Sequence, residues 1–405
     1  MLYQAYQAHA DIMVPVRAFA GMAADRGRVH LNGSARPLPL SNLTAAYELI
    51  ARAGLTHERP PYGIDSVTVG NREVAVTEEA ADRTPFGTLL HFKKDIDTAQ
   101  PRVLLIAPLS GHFATLLRAT VRTMLPEHDV YITDWHNARD VPLEAGGFGF
   151  DDYIAHLIRF LETIGPGAHM VAVCQPCVAA LVAASVMAQG EHQAAPRSMT
   201  LMAGPIDTRV NPTKVNELAK SKGIDWFEKN LIARVPGRYA GGGRKVYPGF
   251  VQLAAFTSMN IDRHIKAHRE LYDRLARGDE AKAAATKAFY DEYFAVLDLT
   301  AEFYLETVQL VFQEHVLPLG QLTYQNRKVE PKAIKRTMLF TVEGEKDDIC
   351  AVGQTLAAHD LCSSLRPYRK RHHMQAGVGH YGVFAGRTWQ NQIYPMVKNV
   401  ILQSD

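Results

Sequence analysis

Residues Val103 to Ala107 read VLLIA, five apolar positions in a row with no polar alternate. A strand of that pattern has both faces covered, the condition of a strand inside a parallel sheet flanked by helices. The rhythm repeats downstream. A helix is predicted near Phe113 to Met124, then a strand over Val130 to Thr133 that runs into Asp134-Trp135-His136, then a helix from about Asp151 to Ile164. The strand Met170 to Val173 leads into Cys174, a helix runs from about Pro176 to Met187, and Met199 to Met202 is the next strand. Strands separated by helices in this way imply a parallel sheet with right-handed crossovers.

The opening is different. Leu2, Tyr6, Met13, Val16 and Phe19 approximate a helical stripe, which Pro15 is expected to kink or break. Ser41 can cap a second helix in which Leu43, Tyr47 and Ile50 share a face and which Gly54 ends. Val67 and Val69, a Gly70-Asn71 turn, and Val74 and Val76 form a hairpin signal, and a strand around Thr88 to Phe92 pairs with it. The strand-helix alternation stops near Gly204 and resumes at Thr337. Between them Phe289, Tyr293, Val296, Tyr304, Val308 and Val311 fall on one apolar stripe of long helix, and Tyr239 to Gly249 (YAGGGRKVYPG) is a Gly-rich hinge or loop. The sheet then finishes with Met338 to Val342, a helix near Val352 to His359, a strand near His372 to Gln375 and a C-terminal helix from about Gln390 to Leu402. The expected fold class is α/β: a mostly parallel central sheet with antiparallel N-terminal strands. Residues 1–204 and 336–405 form the core, and residues 205–335 form a helical cap or lid insertion.

The stretch His169 to Val186 (HMVAVCQPCVAALVAASV) carries the chemistry. A sharp strand-to-helix turn raises Cys174 above the strand ends and sets it at a helix N-terminus, where unpaired N–H groups favour a thiolate. In an α/β-hydrolase this position holds the nucleophile, usually Ser within G-x-S-x-G. The pentapeptide here is Ala172-Val173-Cys174-Gln175-Pro176; Ala172 keeps the small residue and Pro176 suits a first helical turn. Two other readings compete. Cys174 could be a buried structural cysteine. Alternatively, Cys174-Gln175-Pro176-Cys177 could be a C-x-P-C redox motif, although in thioredoxin-like domains that motif follows an early strand.

A Cys nucleophile needs a base, and the base an orienting acid, in the chain order nucleophile, acid, histidine. The run Glu343-Gly344-Glu345-Lys346-Asp347-Asp348-Ile349 follows a late strand, and Val378-Gly379-His380-Tyr381-Gly382 lies in a glycine-flanked loop before the last helix. Asp347 is preferred to Asp348 as the acid, with Asp207 in reserve, and His380 is preferred among 17 histidines. The oxyanion hole is expected from the backbone N–H of Gln175 and that of Ser110 or Gly111, in the loop Ala107-Pro108-Leu109-Ser110-Gly111-His112. Gly111, His112, Tyr381 and, from the insert, Trp226 are expected at the substrate.

Composition narrows the class. Lys and Arg total 44 against 42 Asp and Glu, a net charge of +2, so nucleic-acid wrapping is not expected. The dense basic run Arg366 to His373 reads as a solvated loop and strand edge, or as a dock for an anionic ligand. Four cysteines in 405 residues do not make a disulfide scaffold and fit a reducing compartment. One CxxC lacks the second ligand pair of a structural zinc. The N-terminus lacks the basic start and apolar core of a signal peptide, and no stretch is long and apolar enough to span a bilayer, so a cytoplasmic protein is expected.

At these residues the chain resembles the intracellular poly(3-hydroxybutyrate) depolymerases. The likeness runs from MLYQAYQAHADIMVPVRAFA through APLSGHFATLLRATV, YITDWHNARDVP, GFGFDDYI, VAVCQP, LMAGPIDTRVNPTKVN and FTVEGEKDDICAVGQT to GVGHYGVFAGRTW. The resemblance implies an α/β-hydrolase with a Cys-Asp-His triad, matched by Cys174, Asp347 and His380, acting on amorphous storage granules. The insert's Phe227, Tyr239, Tyr247, Phe250 and Phe256 line the substrate entrance, touch the granule or form cap core. Related polyester synthases usually flank the Cys with glycines, from which Ala172 and Pro176 depart. The expected chemistry is attack of Cys174 on an ester carbonyl, a thioester intermediate, and release by water or by an acceptor thiol such as coenzyme A. No metal and no resident cofactor are expected. The partners would be the granule surface and 3-hydroxybutyrate oligomers, with the oligomeric state left open. A thiol-disulfide oxidoreductase using Cys174 and Cys177, and a granule-binding protein without catalysis, are the alternatives.

Overall fold

The structure, a computed structural model, describes residues 2–31, 38–259 and 261–405. Two helices, α1 (Leu2–Leu31) and α2 (Leu38–Arg52), open the chain and pack on each other. Pro15 does not interrupt α1. It lies on the exposed side, where water can take the Asp11 carbonyl that loses its N–H partner. Ser41 is not the cap of α2, which begins at Leu38; Ser41 is buried one turn inside. The apolar stripes are split in burial. Tyr6 and Met13 are half-buried, whereas Val16, Phe19, Leu43 and Ile50 are exposed. The contact between the helices uses small groups: any side chain at Gly27 would overlap Thr44, and Ala20 and Ala24 on the same side of α1 are buried.

The hairpin of β1 (Ser66–Val69) and β2 (Arg72–Arg83) pairs with β3 (Gly87–Lys94), all antiparallel. Alternation then begins: β4 (Arg102–Ile106), α3 (Arg118–Met124), β5 (Asp129–Trp135), α4 (Phe150–Ile164), β6 (His169–Val173), α5 (Cys177–Gln189) and β7 (Ser198–Met202). Every residue of β6 and β7 is buried. Leu104 and Ile106 join one hydrophobic cluster while Val103 and Leu105 join the other, so both faces of β4 are covered. Each such fully buried aliphatic contributes about 1.5–3 kcal/mol. Helix α5 is buried almost all round, as a helix inside a layered core must be.

After β7 the chain leaves the sheet. It forms α6 (Lys214–Lys220), α7 (Ile224–Leu231), β8 (Ala233–Arg234), β9 (Lys245–Tyr247), α8 (Gly249–Met259), α9 (Ile261–Arg277), α10 (Glu280–Tyr293), β10 (Leu299–Thr300) and α11 (Ala301–Thr307). A small hairpin, β11 (Thr323–Tyr324) and β12 (Arg327–Lys328), follows. The single long helix expected over Phe289 to Val311 is instead two helices. Between them Ala295 bridges to Thr56, Val296 bridges to His112, and β10 pairs with β9. Buried Asp298 holds this extended segment by accepting from the Tyr3 hydroxyl at 2.6 Å and the Gly249 N–H at 2.9 Å. The Gly-rich stretch Tyr239 to Gly249 is a turn that runs into β9. Helix α2 packs on α9, and α9 on α10.

The sheet resumes with β13 (Met338–Gly344) and β14 (Lys370–Gln375) and the chain ends in the helix Tyr394–Ser404. Its strand order is β1-β2-β3-β5-β4-β6-β7-β13-β14, parallel from β5 onward. The order reverses at β4, and ligands of such sheets bind outside the carboxyl ends at that switch. The register aligns Val173, Met202 and Val342 across three adjacent strands. The residues just beyond them therefore emerge side by side.

Candidate active site

Cys174 is the first residue past β6. Its N–H donates to the Met202 carbonyl at 2.7 Å, and its own carbonyl accepts from the Cys177 N–H at 3.1 Å. Closing so tight a turn takes a φ of 68° at Cys174, a left-handed conformation that costs a non-glycine residue about 1–3 kcal/mol. The turn fits because its surroundings are small. Ala172 has no exposed surface, and any side chain at Gly204 would overlap Cys177 and approach the Cys174 carbonyl. Ala203 donates to the Val342 carbonyl at 2.8 Å, which ties this edge to β13.

Asp347 and His380 converge on the same spot. The His380 Nδ1 donates to Asp347 Oδ2 at 2.8 Å, and the carboxylate has no exposed surface. The other oxygen of Asp347 accepts from the Ile349 and Cys350 N–H groups at 2.9 and 2.8 Å. The two loops are zipped together by backbone: Lys346 donates to Val378 at 2.8 Å, and Glu345 to Gln375 at 3.0 Å. Gly379 eases this close approach, since a Cβ there would sit 3.3 Å from the Lys346 carbonyl. Burial by itself would push the His380 imidazole down. The Cys174 thiol and the Asp347 carboxylate, each in hydrogen-bonding and charge interaction with it, outweigh burial and hold it well above its ordinary value. A thiol, an imidazole and a carboxylate in series can deprotonate the sulfur for attack on an acyl carbon.

The loop after β4 faces this group from the other side of the switch. The Leu109 N–H donates to the Gln175 side-chain oxygen at 3.3 Å, which links that loop to the cysteine turn. Gly111 has φ 95°, and a Cβ there would meet Gln252 of α8 at 2.7 Å. Its carbonyl accepts from Leu297 at 3.0 Å. His112 is buried, stacks on Tyr293, and has its Nε2 at 3.2 Å from the Tyr293 carbonyl. Burial pushes it down to about 4, so its ring is neutral at pH 7 and serves as a wall tied to the insertion. Tyr381 lies edge-on to His380 at 6.0 Å between ring centroids. Burial, with Tyr293 and Cys174 nearby, holds its hydroxyl well above the phenol range. Trp226 is exposed on α7 and edge-on to Phe227, so it is not counted among the groups around Cys174. Of the other insert aromatics, Phe227 and Tyr247 are buried, and Phe250 stacks on Tyr6 at 3.9 Å.

The remaining candidates resolve differently. Asp207, the reserve acid, is engaged by Arg209, whose Nη2 donates to it at 2.7 Å. Cys177 is wholly buried beneath the turn, with its Sγ 3.4 Å from the Ala172 carbonyl and 3.6 Å from the Met202 carbonyl. Burial, then the nearby Cys174, pushes its thiol far above the ordinary range, which removes support from a redox pairing. Among the described residues, no group of three or more His, Cys, Asp or Glu side chains is arranged to hold a metal.

Sequence reasoning missed Glu343, which it counted only as part of an acidic run. The Glu343 carboxylate is fully buried and accepts from the N–H groups of Gly353, Thr355 and Leu356 at 2.8–2.9 Å. This is why residues 352–357 form turns, with helix only over Ala358–Leu361, rather than the helix expected at Val352 to His359. Thr355 in turn exchanges hydrogen bonds with the N–H and carbonyl of Gly204 at 2.9 and 3.0 Å. Glu343 is thus a positioning residue joining the acid loop to the cysteine turn. Its only mark in the sequence was a carboxylate next to last in the buried strand Met338–Gly344.

Residues 203–405 match the family model described as PHB de-polymerase C-terminus. A search of curated proteins finds no match. Among solved structures, a soluble variant of monoglyceride lipase from Saccharomyces cerevisiae is 13% identical, with 85% of this chain and 99% of that one covered and a TM-score of 0.49. The epoxide hydrolase of Bacillus megaterium is 11% identical, with 84% and 99% covered and a TM-score of 0.44. No helix among the described residues is long and apolar enough to cross a membrane. With the strand order, the strained turn after β6 and the family match together, the chain belongs to the PHB depolymerase family and is a carboxylic ester hydrolase of the α/β-hydrolase fold.

Proposed function

We propose that the protein cleaves ester bonds of amorphous poly(3-hydroxybutyrate) with Cys174 as nucleophile, His380 as general base and acid, and Asp347 as its orienting carboxylate. The observation that carries this reading is the strained Cys174 turn facing an imidazole whose Nδ1 is committed to Asp347 at 2.8 Å. That bond leaves Nε2 for the thiol proton. The thiolate attacks the ester carbonyl, and the oxyanion is held by the Gln175 N–H and that of Ser110 or Gly111. Collapse breaks the C–O bond, and the imidazolium protonates the departing alcohol end of the chain. The thioester left on Cys174 is then released by water, or by a thiol such as coenzyme A, after His380 takes the acceptor's proton.

The substrate is an insoluble, uncharged solid, and the outer face of α1 and α2 fits contact with one. Ile12, Phe19 and Leu43 are 69, 60 and 50% exposed, and Val16 and Ile50 are exposed with them. In this reading residues 205–335 act as the cap, and the protein works in the cytoplasm on storage granules. The deciding test incubates purified protein with amorphous polymer, with and without coenzyme A, and identifies the products. Release of 3-hydroxybutyrate units or their coenzyme A thioesters, lost in a folded Cys174→Ala variant, supports it. Undiminished release by that variant would refute it.

A further inference from the structure

Helices α2, α8 and α9 enclose an open groove of about 650 Å³, within the ~300–1,000 Å³ that small-molecule sites occupy. Its sides are apolar where Leu49, Ile261 and Ile265 line it, and Arg269 and Tyr272 bring hydrogen-bond donors. At the inner end, Thr257 and His264 lie against Tyr293, with His264 Nε2 at 3.4 Å from the Tyr293 hydroxyl and its ring stacked on that ring at 5.1 Å. Tyr293 also stacks on His112, in the loop after β4, with ring centroids 5.2 Å apart. The groove therefore ends against a ring that also touches the loop after β4, which is hydrogen-bonded to the Cys174 turn through Leu109 and Gln175. On the α2 side Leu49 lines the groove, and the next residue, Ile50, is exposed on the apolar face of α1 and α2.

We infer that this groove holds the stretch of polyester chain flanking the scissile bond, guiding it from the apolar face to Cys174. The inference rests on the ester-cleaving reading of that site. The occupant is argued from chemistry and continuity. A polyester repeat offers apolar carbon and carbonyl acceptors but no donor; the groove offers apolar walls and the donors of Arg269 and Tyr272, with Asp273 the one carboxylate in its lining. A groove of this kind makes turnover depend on chain length, because each repeat seated in it adds binding that a short ester lacks.

The test uses soluble 3-hydroxybutyrate oligomers, so that adsorption to a solid plays no part. Ile265 and Ile261 are 43 and 48% exposed, which makes Ile265→Asp and Ile261→Asp tolerable to the fold. In wild type, kcat/KM rises from the dimer to the tetramer. In each variant, tetramer kcat/KM falls about tenfold while the dimer and a small soluble ester are turned over as before. Unchanged tetramer turnover, or an equal fractional loss on every substrate, overturns the inference and leaves the Cys174 reading intact. A variant that changes the oligomeric state but not the length dependence also overturns it, and marks the groove as a contact between copies. Wild-type protein that cleaves a small ester but no oligomer sinks the polymer reading on which the inference rests.

Discussion

At the carboxyl ends of β6, β7 and β13 the chain is held from every side. Cys174 is bonded to Met202, Ala203 to Val342, Gly204 to Thr355, and Thr355 to Glu343. On the α1–α2 pair the arrangement is turned outward. Small and polar groups such as Gly27, Thr44 and Glu48 face inward, Glu48 pairing with Arg28 at 2.6 Å, while Ile12, Val16, Phe19 and Leu43 face solvent. A folded chain rarely leaves such a stripe bare without a use for it. On the proposed function the contrast is a division of labour: Cys174, Asp347 and His380 sit where the backbone is tied on several sides, and the face suited to an apolar solid is built from two helices outside the sheet.

The largest effect expected concerns the rigid edge. Cys174→Ala should lower turnover of any ester by about 10,000-fold or more, since removing one member of such a set removes most of its action. The sulfur is not part of the buried framework, so the melting temperature should hold or rise as the residue loses a functional constraint. Turnover by the variant on a small soluble ester at even a hundredth of the wild-type rate would place the nucleophile elsewhere.

Asp347→Asn comes next, with a loss of about 1,000- to 10,000-fold from the disturbed His380 tautomer. It also carries a pH signature. The folded His380 imidazole is held well above its ordinary 6.5, partly by Asp347. The associated stability is therefore fully present below about pH 6.5 and is lost as pH rises through the raised folded value. Above pH 5, the stability difference between wild type and variant should be largest near pH 6 and shrink toward alkaline pH, as denaturant titrations at several pH values can show. A difference that grows with pH would mean that Asp347 does not act through the charged imidazole.

How much of this could be read from the sequence divides along the same line. The strands β4, β6 and β7 were legible because burial on both faces leaves an unbroken apolar run, and Cys174 because that run stops abruptly at a small-residue helix. The pairing of Asp347 with His380 could be anticipated from their places, one just after a late strand and the other in a glycine-flanked loop before the last helix. The role of Glu343 could not, because nothing in the residue types says that its carboxylate collects three N–H groups from a turn ten residues on. The stripes of α1 and α2 were seen as helical, but periodicity gives the face and not the side it turns. Leu43, Tyr47 and Ile50 were read as sharing a face, and the residues their helix buries include Thr44, Ala45 and Glu48. The strands β8, β9 and β10, two or three residues each, carry too few positions to show a period, and their pairing broke the helix expected through Val296.

Gly204→Ala probes the framework without touching a reacting group. The added methyl overlaps Cys177, and neither neighbour is at a flexible end. The expected cost is about 1–3 kcal/mol of stability, read as a lower denaturation midpoint. Because Gly204 backs the Cys174 carbonyl, ester turnover should fall as well, even at temperatures where the variant is folded. Loss of stability with unchanged kcat would show that the strained turn keeps its shape without this support.

The smallest effect separates the two regions most cleanly. Phe19→Asp changes a side chain that is 60% exposed on α1 and touches Tyr47 edge-on at 6.2 Å. Away from the buried framework, its effect on stability should stay near 0.5 kcal/mol. If the outer face lies on the polymer, the variant forfeits about 1–2 kcal/mol of apolar burial there, so its partition onto amorphous granules should weaken about five- to thirtyfold. Turnover of a small soluble ester should be unaffected, because nothing about Cys174 has moved. Partition measured by sedimenting granules, alongside the soluble assay, reads both numbers from one preparation. Equal partition of variant and wild type would mean that the protein meets its substrate by some other face, and the assignment of capture to α1 and α2 would fall while the chemistry at β6 stood.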